Sequence, residues 1–420
     1  MTDLRTALLG ASDRALADLV ALVEVPSISS EAAHAGDVVR AVELVAGHAR
    51  DAGAETVEVV STGGGHPAVI ATWPAPAGAP TVLLYAHADV QPTGDLTQWT
   101  NDPFTPTQRD GRLYARGAAD DKAGVLMHLA VLRAFGGRPP VGVVLFVEGE
   151  EEIGSPTLPA LLAEHAETLR SDVIVIADSA NASVDVPAFT TSLRGLVDLL
   201  VEVRMLERPV HSGMYGGPVG DALTALCRLL ATLHDDAGDV AVPDLVRGRS
   251  DVPDLAEDVV RGDAGVLPGV ELLGTGTFPE RMWLAPALAV LGMDVPSTAA
   301  ASNVLLPSAR AKLSLRLAPG QDPEQAYAAL ERYLQEHAPW GCEVVVTPGA
   351  VGAPFALETV GAAYDVAREV FEQAFGNAPV EAGIGGSIPF IAEFARAYPG
   401  AAVLVTGVGD PASRWHGIDE

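Results

Sequence analysis

Two cysteines in 420 residues are too few for a disulfide framework, and Cys227 and Cys342 lie among apolar residues without metal-type spacing. A reducing, cytoplasmic compartment is the expectation. Basic residues are also scarce: 26 Lys and Arg face 55 Asp and Glu, a formal net charge of −29. A surface of that sign repels nucleic acid and anionic membranes, which removes both as expected partners. No run of about 18 uncharged apolar residues occurs, so no membrane span is expected. Met1–Leu22 lacks a basic stretch followed by an unbroken apolar one, so it is not read as a signal peptide. Leu4, Leu8, Ala11, Ala15, Leu19 and Leu22 instead recur at helical spacing and predict one amphipathic helix. There is neither an internal repeat nor a low-complexity tail.

What is abundant is apolar sequence, 48% of the chain, enough for a sizeable core and, at this length, for two domains. The first part reads as α/β. Strands are expected at Thr56–Val60 and Ala68–Trp73. Short, continuous apolar strands, of the kind covered on both faces, are expected at 81–86, 141–147 and 173–177. A helix from Asp121 to Phe135 ends at Gly136-Gly137. This alternation predicts a doubly wound, mostly parallel sheet. After Pro187 the style changes. Val197, Leu199, Val201 and Val203 alternate with other residues, and 313–317 does the same, as in half-solvated antiparallel strands. Helices are expected at 221–233 and 323–337, with a strand at 343–347. Residues 188–349 therefore read as an inserted α+β domain. The α/β style resumes with a helix ending at Phe375 and a buried strand at 402–406. The first domain is then discontinuous, 1–187 and 350–420.

In open parallel sheets ligands gather beyond the carboxyl ends of the strands. His87 and Asp89 follow the 81–86 strand, the acids from Glu148 to Glu152 follow the next, Asp178 follows the third, and His416 lies in the loop after the last. Arg116-Gly-Ala-Ala-Asp120-Asp121-Lys122 precedes the first helix of this region. A lone histidine after a strand is more often a packed or surface group, and a run of acids is more often a solvated face. Five strand-end positions converging on one rim are harder to explain that way. Packed carboxylates repel and raise each other's pKa, and a divalent cation relieves that repulsion. Two imidazoles with several carboxylates suit zinc, or else manganese or cobalt.

His87-Ala-Asp89, Gly117-Ala-Ala-Asp120-Asp121-Lys122, Glu148-Gly-Glu-Glu151-Glu152-Ile-Gly-Ser155, Asp178 and His416 occur in an order that resembles the co-catalytic zinc peptidases. That group includes carnosinase-type dipeptidases, carboxypeptidase G, aminoacylase and succinyl-diaminopimelate desuccinylase. The resemblance covers nearly the whole chain. It implies two divalent metal ions per subunit. His87 and Asp178 would bind one, Glu152 and His416 the other, and Asp120 both, with a cis peptide to Asp121. Asp89 would accept a hydrogen bond from the second ring nitrogen of His87 and so orient it. Glu151 would be the general base, taking a proton from the activated water and passing it to the leaving amine; Glu150 is its competitor in the acid run. Trp415 is expected to pack beside His416. In relatives the chain usually continues past this histidine into a helix. With Glu420 four residues on, either the sequence is truncated or the segment is tied down otherwise.

The insert would be a lid and dimerisation domain. His211, in a Gly-rich loop that by itself reads as a structural turn, resembles the lid histidine that stabilises the oxyanion in the partner subunit's site. Asn303 resembles a second lid residue supplied in trans. Arg316 would clamp the substrate carboxylate, where otherwise an arginine on a polar strand face is simply solvated. Gly386 and Ser387, at the turn into a helix, would help hold the same carboxylate. A homodimer follows from these roles. One departure bears on substrate: where some dipeptidase relatives carry another binding histidine, residues 349–355 have none. The length of the insert favours a dipeptidase or carboxypeptidase cleaving dipeptides or small C-terminal amino-acid conjugates. An N-acyl-amino-acid deacylase with the same site is the alternative, and a non-catalytic metal-bound binding protein ranks below both.

Overall fold

The computed structural model describes residues 2–250, 252–385 and 389–420. The chain forms two compact units, one of Met1–Thr190, Glu358–Glu381 and Ile388–Glu420, the other of Thr191–Leu357 and Ala382–Ser387. Against the expected insert of 188–349, the second unit begins at Thr191, runs on to Leu357 and takes in a short later segment.

The first unit is built on a six-stranded sheet in the order Thr56–Val60, Ala68–Trp73, Gly142–Glu148, Thr81–His87, Val173–Ile176, Ala402–Val405. The last four run parallel, and the first two are an antiparallel edge. The three central apolar runs have the composition of strands shielded on both sides, and Gly142–Glu148 is buried at every position. One face is covered by the helices Ala35–Asp51 and Lys122–Ala134, which bring Val42, Val45, Val125 and Leu129 against Val69, Leu145 and Val147. The other face carries an aromatic cluster: Tyr85 stacks on Phe390 with ring centroids 4.3 Å apart and meets Phe394 edge-on at 5.4 Å.

Parallel pairing sets the register that matters for function. His87 pairs with Glu148, and Tyr85 with both Phe146 and Ile176, so these strands end at one edge of the sheet. Their following loops have no choice but to share that rim. The N-terminal segment departs from expectation, forming two helices, Thr2–Gly10 and Ser12–Val23. Gly10 is a poor helix former, and the Ser12 hydroxyl donates to the Leu9 carbonyl at 2.9 Å, a local bond that competes with the helical ladder. Among the described residues no helix is long and apolar enough to cross a membrane.

The second unit has a four-stranded antiparallel sheet ordered Ala287–Asp294, Ser308–Leu317, Gly195–Arg204, Glu343–Gly352. The helices Ala222–Ala231 and Pro323–Glu336 cover one face, burying Val197, Leu199, Val201 and Val203 with Leu313, Leu315, Leu226 and Leu330. Asp221 and Asp322 cap these helices by accepting backbone N–H groups of the first turn. The strand Ala287–Asp294 was not expected from sequence; all but two of its residues are exposed, so it lacks the apolar alternation that marks its neighbours. Leu313→Ala, at a fully buried position of the central strand, is expected to destabilise this unit by about 2–5 kcal/mol. Glu343→Ala, on a half-exposed ion pair, should stay within about 1 kcal/mol; urea denaturation of the two variants checks the contrast.

Candidate metal centre

The loops at the sheet rim bring His87, Asp89, Asp120, Glu151, Glu152, Asp178 and His416 together. Ligand-type atoms of His87, Glu151 and Asp178 all lie within 4.8 Å of one another, and so do those of His87, Asp120 and Glu152. Asp120 faces two ways. Its Oδ1 is 3.0 Å from His87 Nε2, and its Oδ2 is 3.1 Å from His416 Nε2. Asp178 Oδ2 stands 3.9 Å from His87 Nε2, and Glu152 Oε2 stands 3.3 Å from His416 Nε2. The peptide between Asp120 and Asp121 is cis.

The acid run is divided by the fold. Glu148, still in the strand, is buried and accepts from the Tyr85 hydroxyl and from Ser155 Oγ at 3.0 Å. Glu150 is committed elsewhere: it accepts from His66 N at 2.9 Å, from Thr157 N at 2.8 Å and from the Thr157 hydroxyl. That leaves Glu151 and Glu152, on a single 3₁₀ turn, to face the cluster. Asp89 holds this turn. Its carboxylate accepts from Glu151 N at 3.2 Å and Glu152 N at 3.0 Å. The expected bond to His87 is consequently shifted: His87 Nδ1 lies 3.1 Å from the Asp89 backbone carbonyl, and the Asp89 carboxylate is 3.5 Å away. Gln91, which sequence reasoning missed, donates to Glu152 Oε2 at 2.8 Å and to the Glu152 carbonyl at 3.1 Å. Its place two residues beyond Asp89, on the same loop, was the available signal.

Electrostatics reflect the crowding. Burial, and next the charge of Asp120, push the Asp178 carboxyl up to about 7. Burial drives Glu151 well above the usual carboxylate range; Asp178, Glu152 and Asp89 add to it against the opposing influence of His87. Hydrogen bonds to Asp120 and Glu152 raise His416 to about 10. Burial opposes protonation of His87, but its contacts with Asp120 and Asp89 and the charge of Asp178 overcome it and raise its pKa well above 6.5. Asp120 is held low despite burial, because both histidines bond to it. Buried carboxylates with imidazoles facing a common centre are a donor set that fits divalent cations.

Of the other expected residues, His211, Asn303 and Arg316 belong to the second unit. His211 is exposed in the second unit, its Nδ1 accepting from Gly213 N at 3.0 Å. It pairs with Val304 across a two-residue ladder, beside Asn303, whose carbonyl accepts from Ser212 N at 3.0 Å. Arg316 is half-buried between Ala287 and Leu196, and among the described residues no carboxylate pairs with it. Gly386 and Ser387 lie outside the described residues. Trp415 packs across Gly409, where a Cβ would come 2.5 Å from its ring, and leaves the His416 side chain 54% exposed.

The fold and the buried His/Asp/Glu cluster define a metallopeptidase. Residues 83–420 match peptidase family M20/M25/M40, and the chain belongs to that family. It is 37% identical over 349 residues to a cysteinylglycine-S-conjugate dipeptidase of Corynebacterium striatum, covering 81% of this chain and 77% of the relative. It is 27% identical over 346 residues to a human β-Ala-His dipeptidase, covering 77% of this chain and 68% of that one. The solved structure of human carnosine dipeptidase 1 superposes with a TM-score of 0.80 at 25% identity, over 99% of this chain and 94% of the other.

A cation that binds only the folded protein stabilises it by mass action, about 2.7 kcal/mol at a hundredfold excess over Kd. Zinc is therefore expected to raise the melting temperature of the chelator-treated protein, and Asp120→Asn to remove most of that rise. A melting temperature indifferent to divalent metal would rule out the centre.

Proposed function

We propose that the protein is a dipeptidase of broad specificity, hydrolysing the amide bond of dipeptides or small C-terminal amino-acid conjugates at a two-metal centre. His87 and Asp178 would hold one cation, Glu152 and His416 the other, and Asp120 both. The observation that carries this ligand set is Asp120 itself, which turns one carboxylate oxygen to each histidine. Zinc is the favoured metal from the nitrogen and oxygen donors. Such cations, when bound, would supply acidification of the attacking water and polarisation of the scissile carbonyl.

The chain's own residues do the rest. Asp89 keeps the 151–152 turn in place through its two amide bonds, so that Glu151 and Glu152 serve different ends. Glu151 takes a proton from the attacking water and returns it to the leaving nitrogen as the C–N bond breaks. His211 and Asn303, from the second unit of a partner subunit, stabilise the developing oxyanion, and the homodimer follows from that assignment. Arg316, free of any carboxylate among the described residues, binds the substrate's terminal carboxylate, with Gly386 and Ser387 as further contacts. The unpaired Cys227 and Cys342 are compatible with a cytoplasmic setting.

Two dipeptidase relatives support this substrate class over acylated amino acids. The test is a panel of dipeptides, acetyl-amino acids and succinyl-amino acids, offered to the metal-reconstituted protein with free amino acids detected. Release from dipeptides is expected. Glu151→Gln should lower kcat by about 10²–10⁴-fold at unchanged metal content. Turnover of acylated amino acids alone would replace the dipeptidase reading with a deacylase, undiminished turnover by E151Q would remove Glu151 as base, and no turnover at all would favour a binding protein.

A further inference from the structure

The proposed ligand His416 poses a mechanical problem. Its side chain is 54% exposed, so packing does not hold it, whereas His87 is fully buried. Its backbone sits at φ 59°, between Arg414 at 53° and Asp419 at 56°, a left-handed region that non-glycine residues rarely occupy without outside support. That support must come from elsewhere.

It comes from one buried ion pair. Arg116 and Glu420 have side chains each 1% exposed, and the guanidinium Nη1 donates to Glu420 Oε2. The other terminal nitrogen of Arg116, Nη2, donates to the carbonyls of His416 at 3.1 Å, Gly417 at 3.2 Å and Pro92 at 3.2 Å. The second oxygen of Glu420 accepts from three amides of one loop, Gly117 at 3.0 Å, Ala119 at 3.4 Å and Asp120 at 3.2 Å. Such a convergence of N–H groups is an anion nest, here filled by a side chain of the same chain. Gly117 makes the loop possible, with φ +81° and Val90 so close that a Cβ would lie 2.5 Å from it.

We propose that the Glu420 side chain is a positioning residue that fixes Asp120 and His416 relative to one another. One of its oxygens holds the backbone that presents Asp120, and the other, through Arg116, holds the backbone that presents His416. Neither contact touches a metal-facing atom. Losing the charge would release both backbones together, and the geometry of the shared carboxylate with it. The proposal rests on the ligand set given above.

Zinc titration of the metal-free full chain by isothermal calorimetry tests it. E420Q is expected to weaken zinc binding by about tenfold or more, within the range typical of groups that orient ligands. Its metal-free melting temperature should stay within a few degrees of the parent. R116K, which keeps the charge but loses the forked geometry, should weaken binding likewise. D419A removes an acceptor of Thr100 N on the same segment and should leave zinc affinity unchanged. D120N is the control for the ligand set and should weaken binding most. Parent-like affinity in E420Q beside a weakened D120N would overturn the clamp while sparing the ligand set. Parent-like affinity in D120N would overturn both. Equal losses in D419A and E420Q would mean general fraying, and an E420Q unfolded at the assay temperature would make Glu420 a folding determinant; either result also overturns the proposal.

Discussion

Negative charge gathered at the buried rim of a parallel sheet governs this molecule. Asp120 and Asp178 are buried, Glu151 and Glu152 lie beside them, and only two imidazoles face them. Burial first, and then the neighbouring negative charges, disfavour ionisation, which is why Asp178 and Glu151 are driven upward while Asp120, bonded to both histidines, is not. The arrangement is stable only with compensating positive charge, and a pair of divalent cations supplies more of it in less space than protons can. The acidic excess of the whole chain is a different matter. Most of it lies on the surface and bears on solubility, whereas these few carboxylates were brought together by topology.

Topology does so economically. Parallel pairing of Thr81–His87 with Gly142–Glu148 and Val173–Ile176 makes three strands end at one edge, and each loop delivers a ligand-type residue there. What topology leaves loose, hydrogen bonds to backbone amides tighten. Asp89 takes up the amides of the 151–152 turn, Glu150 those of His66 and Thr157, and Glu420 those of the 117–120 loop. Each is a buried or nearly buried carboxylate satisfied by N–H donors, an acceptable way to bury charge because the donors need partners too. Acidic residues therefore play two opposed parts at this rim. Some face inward, under-compensated and able to attract metal. Others face the backbone, fully bonded and structural.

That division marks the limit of what the residues alone reveal. The strands of the six-stranded sheet and several helices were legible, because buried parallel strands and amphipathic helices leave strong patterns: 142–148 is continuously apolar until Glu148, and 197–203 alternates; the helix Ala35–Asp51 was not anticipated. The convergence of His87, Asp120, Glu152, Asp178 and His416 was legible too, since strand ends share an edge. Less visible was which acid does what. Glu150 and Glu151 are neighbours of the same type, and only the positions of His66 and Thr157 separate them. Asp89 was expected to orient His87 through its carboxylate; that carboxylate stands 3.5 Å from the imidazole and also accepts from the amides of residues 151 and 152, while the Asp89 backbone carbonyl lies nearer, 3.1 Å from His87 Nδ1. The strand Ala287–Asp294 went unseen because an edge strand with an exposed face needs no apolar alternation.

The two histidines at the centre are fixed by opposite means, and the contrast says where the site meets solvent. His87 is immobilised by burial inside the sheet edge, with its ring nitrogens bounded by Asp89 and Asp120. His416 is on a loop, its ring more than half exposed, and its constraint is applied to the backbone from beneath by Arg116. A ligand held by packing closes off its own side of a metal centre; a ligand held through its main chain leaves its ring face open. The cluster therefore meets solvent on the His416 side and is closed on the His87 side. The Arg116–Glu420 pair thus bears on the backbone of the exposed histidine, where the buried one is bounded by packing.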